Sequence, residues 1–203
     1  MGKKRKTKRV SVFAIIEGQK REQAFLKCLE EIYLDKNVNL KISPTFGGNP
    51  DHLLSTAIKH LSFGYNRVFV WFDEDTDIKQ ESRESLSKAW KIEKEHKNKF
   101  LSCPLAQLQQ SHNESQQQNP IIIISQPICV ESLILKVLGK TPCHSSINTK
   151  ILKKQKRELK NSLDGIIGKT DEYEYYKKNL TKELLEKRRL EIKELDLIIS
   201  MLL

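Results

Sequence analysis

Apolar residues in this chain fall into short unbroken runs, separated by stretches with helical spacing. Val10-Ser11-Val12-Phe13-Ala14-Ile15-Ile16 is β-branched and apolar, which predicts a buried strand. After Glu17-Gly18, Ala24, Phe25, Cys28, Leu29 and Ile32 recur at the spacing of one helix face, predicting a helix from about Lys20 to Tyr33. Val38, Leu40 and Ile42 alternate, as in a second strand. Phe46-Gly47-Gly48-Asn49-Pro50-Asp51 then opens a helix to about Leu61, with Asn49 as N-cap and Pro50 at the first helical position. Val68 to Phe72 is a third apolar run, followed by a polar helix from about Arg83 to Phe100. Pro120 to Ile124 is a fourth strand, and Val130 to Leu138 a helix closed by Gly139. From about Asn148 the chain reads as helical and heavily charged. Leu180, Leu184, Leu185, Ile192, Leu195, Ile198, Ile199 and Leu202 form an apolar stripe there, able to dock on the chain's own sheet or to pair two copies as a homodimer. Arg188 interrupts any coiled-coil seam.

Strands alternating with helices predict an α/β fold, a mostly parallel sheet flanked by helices, with a helical C-terminal extension. Three parts are expected: a basic disordered arm over 1–9, an α/β domain over 10–140 with a flexible Gln-rich loop over 107–119, and the extension over 141–203. A chain of 203 residues can bury a sizeable core without disulfides. Charged residues make up 31%, and no apolar run approaches the roughly 20 residues of a membrane span, so a soluble protein without membrane contact is expected. Cys28, Cys103, Cys129 and Cys143 show no paired spacing and read as reduced thiols of a cytoplasmic protein. The five histidines, His52, His60, His96, His112 and His144, form no catalytic pattern, and Trp71 reads as core.

Charge adds a partner. The formal net charge is +10, and Lys3, Lys4, Arg5, Lys6, Lys8 and Arg9 cluster at the start of the chain. Such a run seeks polyanions and predicts contact with nucleic acid.

The chemistry is carried by acids at strand ends. Asp73, Glu74 and Asp75 directly follow the third apolar run, with Asp77 two places on. Two ionised carboxylates about 4 Å apart repel by roughly 4 kcal/mol at an effective dielectric near 20. A hard divalent cation, Mg²⁺ or Mn²⁺, relieves that repulsion. Asp73 and Asp75 share a strand face and are the expected ligands, with Asp77 able to complete the shell and Glu74 pointing away. Glu17 follows the first strand, and in a parallel sheet both features fall on the rim at the carboxyl ends of the strands. Glu17 is thus a candidate ligand and general acid or base, and Gly18 would admit a phosphate close to the backbone. Glu22 could buttress the site or pair with a lysine. Glu131 follows the fourth strand and is a possible third acid, with a structural salt bridge as the alternative. Gly47, Gly48 and Asn49 could offer N–H groups to a phosphate at a helix start.

Glu17-Gly18 with Glu22 after one strand, and Asp73-x-Asp75 after a later one, resemble the TOPRIM domain, the metal-dependent catalytic domain of topoisomerases, primases, small RNA-maturing ribonucleases and OLD-type nucleases. Ile16 to Phe25, Gly48-Asn49-Pro50 and Ser125-Gln126-Pro127-Ile128-Cys129-Val130-Glu131 are most similar to its RloB-like branch, over roughly residues 10 to 140. The resemblance implies a three-layer TOPRIM-like catalytic domain and a magnesium-dependent nuclease of DNA or RNA. It also implies a possible role in phage defence beside an ATPase partner. The alternative is a TOPRIM-like module that binds nucleic acid or a nucleotide and regulates a partner without cutting. A phospho-acceptor receiver ranks last, because it needs two acids after strand one and Glu17-Gly18 supplies one.

Overall fold

Four strands form one parallel sheet in the order β2-β1-β3-β4: β1 (Val10–Ile16), β2 (Val38–Pro44), β3 (Arg67–Asp73) and β4 (Ile121–Gln126). The computed structural model describes residues 10–18, 20–45, 50–63, 65–73, 121–126, 128–142, 148 and 150–203. Helix α1 (Arg21–Tyr33) joins β1 to β2, and α2 (Pro50–Ser62) joins β2 to β3. Helix α3 (Val130–Val137) follows β4. Four more helices complete the chain: α4 (Leu152–Ile167), α5 (Glu172–Asn179), α6 (Lys182–Arg189) and α7 (Lys193–Leu202). The expected helix over 83–100, the Gln-rich loop and the N-terminal arm lie outside the described residues.

Burial on both faces explains the unbroken apolar runs. Side chains alternate across a strand, and in β1 and β3 both sets are buried. Val12, Ala14, Ile16, Phe69 and Trp71 join one core with α1, α3 and the C-terminal helices. Phe13, Ile15, Val68, Val70 and Phe72 are equally buried on the opposite face. There the His60 ring of α2 stacks on Phe13 at 3.8 Å between centroids, and Leu53 and Ala57 of the same helix are buried. The sheet is therefore the middle of three layers.

The C-terminal helices share a core with the sheet. Leu180, Leu185, Ile192, Leu195, Ile198, Ile199 and Leu202 are buried in the same cluster as Phe25, Phe69 and Trp71. These residues of the apolar stripe are buried within the chain's own core, and the exposed large apolar residues of this region are Ile151, Leu190 and Leu203. The helical run is broken into four pieces. Gly168, at φ +67°, ends α4; Asp171 then caps α5 through the N–H groups of Tyr173 and Glu174, and Thr181 caps α6 through that of Leu184. Gly139, at φ +72°, closes α3 as its position suggested.

Because the core is shared, damage far along the chain should be felt at the sheet. Ile199→Ala should lower stability by about 2–5 kcal/mol, whereas Leu190→Ala, at a residue 87% exposed, should leave it nearly unchanged. Urea unfolding followed by Trp71 fluorescence in a Trp90→Phe background, and by far-UV circular dichroism, should give coincident transitions that shift together for Ile199→Ala.

Candidate functional site: an acidic rim braced by Arg21 and Lys156

The strand order reverses direction between β1 and β3, and the crevice outside the carboxyl ends of two such strands is where α/β sheets build their sites. Residue register brings Ile16 beside Trp71 and Asp73 beside Gln126. Glu17 thus emerges next to the end of β3, and its carboxylate accepts the backbone N–H of Asp73 at 3.0 Å. Two acids separated by 56 residues meet here, as expected from their positions at parallel strand ends.

Asp73 is held from two further directions. Its Oδ1 accepts the N–H of Val130, the first residue of α3, at 3.1 Å. Cys129 precedes that helix without a side-chain cap, so the strand-end carboxylate caps it instead. The preceding Ile128 is buried with φ at +72°, a left-handed conformation costly for a β-branched residue. That strained turn carries the chain from β4 into α3. The second oxygen, Oδ2, accepts the ammonium of Lys156 from α4 at 3.1 Å. Even so, burial raises the Asp73 pKa to about 7; Lys156 opposes the shift, and Glu17 and Glu22 reinforce it.

Glu22 belongs to the same cluster. Its carboxylate folds back over Gly18, so that a Cβ on Gly18 would lie 2.0 Å from one oxygen and 2.2 Å from the other. Gly18 is therefore the residue that lets Glu22 turn toward the rim. Burial, with repulsion from Glu131 and Glu17, raises the Glu22 pKa to about 7.

Glu131 reaches the rim too, but its carboxylate is engaged by Arg21. Arg21 is the hub of this region. Its side chain is only 10% exposed, and three of its nitrogens each meet a different carboxylate: Glu131 of α3, Asp164 of α4 and, at 3.0 Å, Glu172 of α5. Burial disfavours its charge, yet the bond to Glu172 and the attraction of Glu131 and Asp164 raise its pKa above the ordinary value. Glu131, the possible third acid, is thus placed in an ion-pair network with Arg21. Arg21 lies next to Glu22 in sequence and was not foreseen, nor were Lys156, Asp164 and Glu172, because nothing in their spacing marks them.

Among the described residues, no three His, Cys, Asp or Glu side chains converge closely enough to hold a metal ion. Asp75 and Asp77, Gly47, Gly48 and Asn49, and Lys3, Lys4, Arg5, Lys6, Lys8 and Arg9 lie outside those residues. At the rim, burial with mutual repulsion raises the Glu22 and Asp73 pKa values, and the Lys156 ammonium stands at Asp73. Cys28 and Cys129 are buried free thiols with pKa raised by burial, which makes them poor nucleophiles. No helix among the described residues is long and apolar enough to cross a membrane. No family model, curated protein or solved structure matches the chain.

The raised acids make stability depend on pH. Glu22 and Asp73 hold their protons in the folded state up to about pH 7, against ordinary values of 4.5 and 3.8. Over that window the folded protein binds more protons than the unfolded chain, so stability should fall as pH rises from about 5 to about 8. The melting temperature in EDTA should follow this trend, with a shallower fall for Glu22→Gln. Arg21→Ala should cost about 3 kcal/mol or more, because it leaves Glu131 buried without its partner. Arg21→Lys should recover only part of that loss in urea unfolding, since an ammonium cannot replace a three-way fork.

Proposed function

We propose that this chain is a divalent-metal-dependent nuclease of the TOPRIM kind, related to the RloB-like branch, that cleaves phosphodiester bonds of DNA or RNA. The observation that carries the reading is the contact between Glu17 and the backbone of Asp73 at the switch point of a parallel sheet, where both acids are half-buried and Glu17 helps raise the Asp73 pKa. Glu17 and Asp73, with Asp75, would hold the cation. A bound Mg²⁺ or Mn²⁺ would supply positive charge to offset the charge of the scissile phosphate. This chain's own groups then have separate tasks. Glu17, whose carboxylate accepts the Asp73 N–H, would position the attacking water or pass a proton to the leaving oxygen. Lys156 adds a cation at the same rim. Arg21 keeps Glu131 occupied and, through Asp164 and Glu172, holds α4 and α5 against the site.

A second reading is a TOPRIM-like module that binds nucleic acid or a nucleotide and regulates a partner, an ATPase in the phage-defence setting. It is favoured by the way Asp73 already has a donor on each oxygen, from Val130 and Lys156, and by the commitment of Glu131 to Arg21.

Purified protein incubated with labelled DNA and RNA should cut at least one of them with Mg²⁺ or Mn²⁺ and not with EDTA. Glu17→Gln and Asp73→Asn should each reduce cleavage by about 100-fold or more, with circular dichroism unchanged. Binding without cleavage under any divalent ion, with or without an added ATPase, would instead establish the second reading.

A further inference from the structure

Helix α4 carries two stripes side by side. Gln155, Leu159, Leu163 and Ile167 are buried and face the core. Lys153, Lys156, Arg157 and Lys160 recur at i, i+3, i+4 and i+7, which lines them along one face. Lys153, Arg157 and Lys160 are exposed and make no ion pair among the described residues. Lys154, off the stripe, pairs with Glu158 at 3.8 Å.

This stripe violates two local rules of helix stability. Every i, i+3 or i, i+4 neighbour within it is a like charge, and such pairs destabilise a helix. Lys153 also stands in the first turn, which holds no acid, at the end where the helix dipole disfavours cations. Local conflicts of this kind are expected where function rather than folding sets the residues.

Lys156 fixes where the stripe lies. Its ammonium is 3.1 Å from Asp73, so the middle of the basic face touches the acidic rim. Lys153 and Lys160 stand about one helical turn, roughly 5 Å, to either side along the axis. We propose that this face of α4 is a nucleic-acid-binding surface, seating the backbone phosphates that flank the one presented at Asp73. The occupant is a phosphodiester strand, chosen by charge: cations in a row, one turn apart, beside a site proposed to act on phosphate. The identity of the central phosphate as a scissile one rests on the nuclease reading; the binding surface does not.

The test uses the full-length protein in EDTA, with fluorescence anisotropy of a labelled single strand and of a duplex across a salt series. The triple variant Lys153→Gln/Arg157→Gln/Lys160→Gln leaves Lys156 and the acids intact. It should bind about tenfold or more weakly, with a log–log salt slope shallower by about 2 to 3, since each phosphate no longer neutralised removes roughly 0.7 to 0.9 from the slope. Its melting temperature without nucleic acid should be unchanged or higher, because the repulsion is relieved. A charge-matched control, Lys27→Gln/Lys36→Gln/Lys193→Gln, should keep most of the affinity. Equal binding by the two triple variants, or no binding by the wild type, would overturn the proposal. Cleavage by wild type with unchanged binding by the α4 variant would sink this surface alone. Binding that depends on α4, with no cleavage under any divalent ion, would sink the nuclease reading and leave the surface standing.

Discussion

A carboxylate at the end of a central strand, half-hidden from water, must be met by donors or give up its charge. The structure meets Asp73 from separate parts of the chain. The N–H of Val130 comes from the start of α3 and the ammonium of Lys156 from α4, while the backbone of Asp73 itself bonds to Glu17 at the end of β1. Sheet, third helix and C-terminal helices are therefore registered on one residue, which remains electrostatically under-compensated because Glu17 and Glu22 lie close.

Arg21 balances the other half of the cluster. It sits in the first turn of α1, directly beside Glu22, and gathers Glu131, Asp164 and Glu172 from three helices. Planar guanidinium geometry suits this task, since each edge can take a separate carboxylate. Glu131 is thereby paired with Arg21, while Asp73 is met by Lys156. Helix α4 takes part in both, through Asp164 at Arg21 and Lys156 at Asp73, two turns apart. The C-terminal region is in this sense part of the site, which gives its basic face a position to act from.

The strands and their parallel order were legible because residues buried on both faces leave unbroken β-branched runs, and Val10–Ile16 and Arg67–Asp73 have that signature. Helix α1 starts one residue later than its periodicity suggested, and β2 continues two residues further, to Pro44. Glu17 and Asp73 could be paired in advance, since parallel strands all end on the same rim. The breaks between α4, α5, α6 and α7 were hidden. Their apolar stripe persists across the caps, so periodicity alone does not mark where the chain turns.

What the chain by itself determined is the layering: two-faced apolar strands, amphipathic helices between them, and acids at the strand ends. Those follow from local periodicity, which operates within a few residues. Only the tertiary structure decided which charges meet. Arg21 lies 151 residues from Glu172, and Lys156 lies 83 from Asp73. A side chain's countercharge is chosen by packing of distant helices onto the sheet, and no spacing in the sequence encodes it.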